Sequence, residues 1–393
     1  MDFLRRLCIS DIRRSLGRII YNVAANLGSL WSPLGSYASR RILEALALST
    51  GSIEASTWIG FSTERTSTSS GFDPICGRWL DEYSREIQRK ILIDAKPDWA
   101  PQFTVIGRGY ATNSGLITDE FGRRVAMEQL DQPLDGRETG YFRPVWTEEP
   151  RRCWLLTHRY QANYFHWLFE VVPKLLLAER ASNAGDVFYI DQSQEFQRSI
   201  VNYVLGDGMR VLSATQRSHL RFLQGLALRH WDAFSGIPQP VVDMLRSQFG
   251  VPAGPPRRIY VSREGARGRR VLNEQAVLDI LVPAGFEAIN PSRLSWSEQV
   301  EIFASAEAVC GPHGAGLSNA VFCSPGTPLI ELSAPRYIFP CWLDLSRKCK
   351  LQHRLVPGVG TDFAVDHGWK YQWEDFEVDL DRLRSAIHDL GFS

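Results

Sequence analysis

A chain of 393 residues with 44 basic and 44 acidic side chains carries no formal net charge, which argues against a nucleic-acid binder, since such proteins draw affinity from a basic excess. Its length accommodates two domains with full cores, and 44% apolar against 22% charged residues is the mix of a folded globular protein. No run of about 18 apolar residues occurs, so no membrane-spanning helix is expected.

The seven cysteines, at 8, 76, 153, 310, 323, 341 and 349, show neither metal-ligand spacing nor a disulfide framework, which points to a reducing compartment. Residues 1–50 read as helical. Leu4, Cys8, Ile12, Leu16, Ile19, Ile20 and Val23 share one face, while Arg6, Arg13, Arg14 and Arg18 fall largely on the other, with Arg5 intruding. A basic amphipathic helix of this kind can lie on an anionic membrane surface through residues 1–23, or dock on the protein's own core or a second subunit. With no signal-peptide pattern, a cytoplasmic location is expected, peripheral to the membrane in the first case. Residues 51–76 are rich in Ser, Thr and Gly and read as a linker, so 1–76 form an N-terminal extension.

Residues 77–150 carry short apolar runs, Phe103–Ile106, Gly115–Thr118 and Arg143–Trp146, and predict a small β-rich region. From 151 strands alternate with helices: a strand over Cys153–Leu156, a helix over Asn163–Arg180, a strand over Val187–Ile190 and a helix over Gln194–Leu205. Strands at Arg210–Leu212 and Leu226–Leu228 follow, then a helix from Pro238 to about Phe249. Gly250–Pro256 holds three prolines and two glycines and marks a boundary.

A second alternating series begins at the Arg258–Ser262 strand. A helix over Asn273–Leu281, a strand over Phe286–Ile289 and a helix over Ser295–Ser305 come next, the last opened by a Ser295/Glu298 capping box. A strand over Ala308–Cys310 feeds a Gly-rich turn, residues 311–319, and a short helix; Pro328–Leu332 is the next strand and Asp379–Leu390 a final helix. Strands alternating with helices imply βαβ units, and two such series imply two facing Rossmann-like domains whose ligands bind beyond the strand ends.

Four places could carry chemistry. In Gly311-Pro312-His313-Gly314-Ala315-Gly316-Leu317-Ser318-Asn319, glycines flank a histidine at a strand end that leads into a helix. Amides there form an anion site, suited to a nucleotide diphosphate, and His313 can donate to a phosphate oxygen. G-x-G-x-x-G fails because Asn319 stands at its last position, and no P-loop occurs, which disfavours an NAD-linked oxidoreductase and a P-loop nucleotidase. Arg263, just past a strand, can fork onto phosphate, or be one solvated arginine among many with Arg267, Arg269 and Arg270; its position sets it above the rest. Glu331 ends a strand and can take ribose hydroxyls, or be a salt-bridged core glutamate. His166 and Glu170 share a helix face, with His158 before the helix; His166 reads either as a general base or as a core histidine. No third metal ligand appears at an expected spacing, so neither a metal nor another cofactor is expected.

The Arg258–Arg263, Gly311–Asn319 and Ile330–Leu332 segments, with Asn163, His166-Trp167 and Pro173-Lys174-Leu175 before them, resemble glycosyltransferase family 61 over roughly residues 150–335. The resemblance implies an α/β fold of GT-B type. It implies an acceptor-side domain at 77–250 and a nucleotide-sugar-binding domain at 257–393. It further implies inverting transfer of a hexosyl or pentosyl group from a nucleotide sugar, UDP-linked by expectation, to a glycan or glycolipid in capsule or exopolysaccharide synthesis. Eukaryotic members work in the secretory pathway and need a signal anchor, which is not evident here. His166 would be the base, with Glu170 orienting it or serving as base itself. Arg263, His313, Gly314, Ala315, Gly316, Asn319 and Glu331 would hold the donor. The alternative is a non-catalytic nucleotide- or glycan-binding protein on the same fold.

Overall fold

The structure is a computed structural model that describes residues 58–60, 102–119, 147–214, 219–228, 231, 233, 236–360 and 371–392. The expected amphipathic helix of residues 1–50, most of the 51–76 linker and the run Arg143–Trp146 lie outside the described residues. Within the linker, Trp58–Gly60 is a strand, β1. The described chain is mixed α/β and divides into two units, the first ending at Trp231.

The first unit is built on an eight-stranded mixed sheet. Its strands are β1, β2 (Gln102–Ile106), β3 (Gly109–Thr112), β4 (Ile117–Asp119), β5 (Thr147–Leu155), β6 (Val187–Ile190), β7 (Arg210–Ser213) and β8 (His219–Leu228). The main order is β1-β2-β8-β5-β6-β7, with β3 joining β8 and β4 joining β3. Pairings among β8, β5, β6 and β7 are parallel, and β1 to β4 join antiparallel. The β-rich and alternating stretches of the sequence therefore form one sheet. Period-2 patterning on β8 buries Leu220 and Phe222 with Cys153, Leu155, Val187 and Tyr189 in a single core.

Between β5 and β6 runs helix α1, made of Tyr164–His166, a π-helical turn Trp167–Val171 and Val172–Ala181. Every residue from 165 to 178 is buried, so the helix is enclosed on all sides, including its polar stripe of His166, Glu170 and Lys174. The widened turn has a local cause. Pro173 lacks the amide that an α-helix would aim at the Phe169 carbonyl, Val172 N–H bonds Trp167 O instead, and Trp231 Nε1 donates to Phe169 O at 2.9 Å. Helix α2 (Glu195–Leu205) follows β6.

The second unit is an all-parallel five-stranded sheet, in the order β10-β9-β11-β12-β13. Its strands are β9 (Arg257–Val261), β10 (Phe286–Ile289), β11 (Ala306–Pro312), β12 (Pro328–Ser333) and β13 (Gln352–Pro357). Strands buried on both faces read as continuous apolar runs, which is why β12 is buried at all six positions. Helices α3 (Gln239–Phe249), α4 (Glu274–Leu281), α5 (Trp296–Ala304), α6 (Cys341–Cys349) and α7 (Leu380–Asp389) accompany it. The Ser295/Glu298 capping box is present. Two elements, α6 and β13, were not expected, because their polar and basic residues obscure the apolar period.

Helix α3 packs within the second unit, where Arg246 Nη1 donates to Val321 O at 3.1 Å. The Pro/Gly stretch 250–256 thus lies inside that unit rather than between the two, because it joins a helix to the first strand of the same sheet. Asn163 opens α1 by accepting the Phe165 amide at 2.9 Å. Asn163→Ala should lower stability by about 1 kcal/mol, the usual cost of a lost cap, read as a lower urea midpoint with an unchanged slope.

Candidate active site

Two buried carboxylates, one in each unit, are each held by two histidines. In the first unit β5 ends at Leu155, and His158 follows three residues later in the turn that leads to α1. That turn is tied down on several sides. His158 N donates to Gln161 Oε1 (2.9 Å), Gln161 Nε2 to Asn113 O (2.5 Å), and Gln197 Nε2 to Gln161 O (2.9 Å). Gly115 has φ +82°, and a Cβ there would stand 3.2 Å from the His158 Cα, so the β3–β4 turn lies against this backbone.

On α1, His166, Glu170 and Lys174 lie four residues apart on one stripe, all buried. His166 Nδ1 is 2.7 Å from Glu170 Oε2, and His158 Nε2 is 3.2 Å from the same oxygen. The His158 and His166 rings stack with centroids 5.7 Å apart, and Tyr160 stands 4.9 Å from His166. Burial holds His158 well below the ordinary histidine range, helped by the charges of Lys174, His166 and Arg159. Burial also brings Lys174 down to about 8, while Glu170 pulls it upward. The Lys174 ammonium lies 5.4 Å from the Trp231 ring centroid.

These contacts assign tautomers. The Tyr160 amide donates to His158 Nδ1 at 3.2 Å, so in the neutral ring the proton sits on Nε2 and is given to Glu170. His166 gives its Nδ1 proton to Glu170, which places its lone pair on Nε2. Such a histidine can accept a proton while the carboxylate stabilises the imidazolium that forms.

His158, His166 and Glu170 are also the three described groups close enough together to hold a metal ion, with ligand atoms within 4.8 Å of one another. A metal on His158 Nε2 would require Nδ1 to donate, as ligating histidines normally do, yet Nδ1 here accepts from an amide. The donor set fits a histidine–carboxylate–histidine relay better than a metal centre. His158 was visible in the sequence only as a histidine before the helix; the turn brings it to the carboxylate.

In the second unit, β11 lies between β9 and β12, and its C-terminal end delivers the glycine turn. His313 N continues the ladder to Leu332 O at 2.7 Å. The expected short helix follows as a 3-10 helix, Ala315–Phe322. Arg263 lies two residues beyond β9. A Cβ on Gly314 would stand 1.8 Å from Arg263 Nη1, so glycine there lets the guanidinium lie against the turn.

Arg263 Nη2 donates to Gly268 O at 2.9 Å, and its Nε is buried with no partner. Burial, with the neighbouring Arg269 charge, lowers Arg263 to about 10, which still leaves a cation at neutral pH. Arg269, expected to be solvated, is half-buried. Its Nε donates to His313 O (3.0 Å), its Nη1 to Gln372 O (2.5 Å), and its guanidinium lies 5.1 Å from the Tyr337 ring centroid. Among the described residues neither arginine has a carboxylate within salt-bridge distance.

Glu331 sits where β12 aligns with Gly311 of β11 and Leu355 of β13. Its carboxylate faces inward, with Oε1 2.5 Å from His313 Nδ1 and Oε2 2.8 Å from His353 Nε2. Burial works to raise Glu331, but the two histidine bonds outweigh it and hold the carboxyl at about 2. Burial lowers His313, the Glu331 bond and charge oppose this, and Arg269 and Arg263 add to the lowering. Glu331 thus orients His313 instead of lying open at the strand end as expected for a ribose ligand. Asn319 is buried and donates to Gln299 Oε1 at 2.8 Å, which braces the 3-10 helix on α5. Ala315 and Gly316 form the first turn of that helix, and Gly316 leaves room for Val261. His353 was missed because it lies on the unpredicted β13.

Residues 164–330 match the family model described as Glycosyltransferase 61. The match begins on α1 and ends one residue before Glu331, so it spans His166, Glu170, Arg263 and the whole 311–319 turn. It supports glycosyltransferase activity for this part of the chain. No curated protein matches the chain. No described helix is long and apolar enough to cross a membrane. The five described cysteines are free and buried.

Two outcomes follow from this geometry. The folded pKa values of His158 and His313 lie below the unfolded value, so below about pH 6.5 the unfolded chain binds more protons and stability falls. Each should remove at most about 1.4 kcal/mol per pH unit as the pH falls below about 6.5, read from urea midpoints. His158→Gln should make that slope shallower, and a flat profile in the wild type would contradict the neutral assignment. Gly314→Ala displaces only the flexible end of Arg263. It should leave the melting temperature nearly unchanged, measured by scanning calorimetry.

Proposed function

We propose that this protein is an inverting glycosyltransferase that moves a sugar from a nucleotide-sugar donor, UDP-linked in the first instance, to a glycan or glycolipid acceptor in polysaccharide biosynthesis of the bacterial capsular type. The observation that carries this reading is the His166–Glu170 pair, Nδ1 to Oε2 at 2.7 Å inside a segment that matches a glycosyltransferase family. Inverting transfer needs one base to take the acceptor hydroxyl proton and a set of donors to stabilise the departing diphosphate.

His166 is the base in this scheme. Glu170 fixes its tautomer and stabilises the imidazolium, and His158 holds Glu170 from the other side. In the second unit, Arg263, the turn at His313, Gly314, Ala315 and Gly316, and Arg269 hold the diphosphate. Glu331 and Asn319 act through His313 and the 3-10 helix rather than by touching the donor. Donors aimed at developing charge in a water-poor site contribute about 3 kcal/mol each. This assigns the acceptor role to the first unit and the donor role to the second, following the GT-B scheme. The protein is taken to act in the cytoplasm, at the membrane surface if residues 1–23 bind lipid.

The test begins with a thermal-shift screen of nucleotide sugars, followed by transfer assays with the donor that binds. His166→Ala should lower kcat by about 10²- to 10⁴-fold with donor affinity retained, as expected for loss of a positioned base. Wild-type activity in that variant would remove His166 from the role. EDTA should leave turnover unchanged, in line with the relay reading of His158. Donor binding without transfer across a broad acceptor panel would favour a non-catalytic binding protein.

A further inference from the structure

The two nitrogens of His313 meet different demands. Nδ1 lies 2.5 Å from Glu331 Oε1, a carboxylate also held by His353 Nε2 at 2.8 Å. A carboxylate oxygen accepts only, so the bond requires a proton on Nδ1. In the neutral ring the lone pair is then on Nε2, which has no hydrogen-bond partner among the described residues. The other neutral tautomer would set a bare Nδ1 against Glu331, and that arrangement needs a protonated carboxyl. The two histidine bonds keep Glu331 ionised far below neutral pH.

The surroundings of the ring set its charge. Glu331 on β12 faces it, with His353 of β13 beyond. Arg269 bonds its carbonyl, and Arg263 lies against Gly314. The Tyr337 ring meets it edge-on at 5.2 Å and the Trp342 ring lies 5.8 Å away. Two guanidiniums and burial oppose a third cation, so the ring by itself stays neutral. An anion reverses this balance. A phosphate oxygen brought to Nε2 would meet a lone pair, and it can be bonded only if that nitrogen carries a proton.

From this geometry, and resting on the reading of the 311–319 turn as the donor site, we propose that His313 takes up a proton from solvent at Nε2 when a nucleotide sugar binds. The imidazolium then bridges Glu331 and a phosphate oxygen of the donor. Nδ1–H remains bonded to Glu331, and the new Nε2–H is donated to a non-bridging phosphate oxygen. His313 thereby becomes a diphosphate-contacting cation whose charge exists only in the loaded site. Glu331 and His353 are positioning residues that keep the ring in the tautomer requiring this uptake.

The experiment is calorimetric titration of the full chain with the UDP- or GDP-sugar that gives the largest thermal shift. It is run at pH 7.5 in buffers of different ionisation enthalpy. Nucleotide sugars lack the terminal phosphate monoester that would titrate near neutrality. The expected result for the wild type is uptake approaching one proton, with the dissociation constant rising by up to about tenfold per pH unit from pH 7 to 8.5. His313→Gln, which keeps a neutral donor, should bind more weakly with no uptake and little pH dependence. Should that variant fail to fold, the wild-type uptake and pH profile decide alone. Binding without uptake and with pH-independent affinity overturns this proposal but leaves the donor-site reading standing. Equal uptake by wild type and His313→Gln places the proton elsewhere and also overturns it. Failure of every UDP- and GDP-sugar to bind removes the donor-site reading and this inference together.

Discussion

A carboxylate inside a protein core must be met by hydrogen-bond donors, and each unit of this chain meets one with two histidines. An ion removed from water without such partners costs several kcal/mol, so these contacts are conditions for burying the group at all. Their consequence is directional. Each carboxylate takes a proton-bearing nitrogen from a histidine, His166 in one unit and His313 in the other, and thereby decides what the second nitrogen of that ring can do. On His166 the outcome is a lone pair on Nε2. On His313 it is a nitrogen that can bond a phosphate only as the imidazolium. One local rule therefore yields opposite chemistry from the proton state that each partner demands.

The scaffolds differ in how they supply this arrangement. In the first unit all three groups come from one βα connection, with the π-turn and Pro173 setting the path of the helix that carries His166 and Glu170. In the second unit they come from adjacent parallel strands, so the distance from His313 to Glu331 to His353 is set by strand spacing and register. Parallel strands also bring Arg263 and the glycine turn to the same sheet edge. The absence of a Cβ at Gly314 lets the guanidinium approach within a distance no other residue would permit.

Much of the second unit was legible in the sequence. Strand β12 is buried at every position and β11 at all but one, so they stand out as apolar runs, α5 and α7 carry side-chain caps, and the glycines around His313 announce a turn at a strand end. The stripe of His166 and Glu170 was equally readable from four-residue spacing. Less legible were β1, within a Ser/Thr/Gly-rich stretch, and β13 and α6, whose charged residues hide the apolar period. Arg269 looked like one of several solvated arginines, and only the path of the chain after β9 folds it back onto His313 O.

The sequence alone determined which groups were available: a histidine and a carboxylate one helical turn apart, an arginine after a strand, and glycines around a histidine. These follow from local periodicity and backbone freedom, which short stretches encode. Only the tertiary structure decided what those groups contact. His158 reaches Glu170 through a turn and His353 reaches Glu331 across a strand pair. Glu331 faces inward rather than toward a ligand, and Asn319 braces a helix. Proton positions depend on partners distant in sequence, and strand register, which no short window contains, is what brings those partners within hydrogen-bond reach.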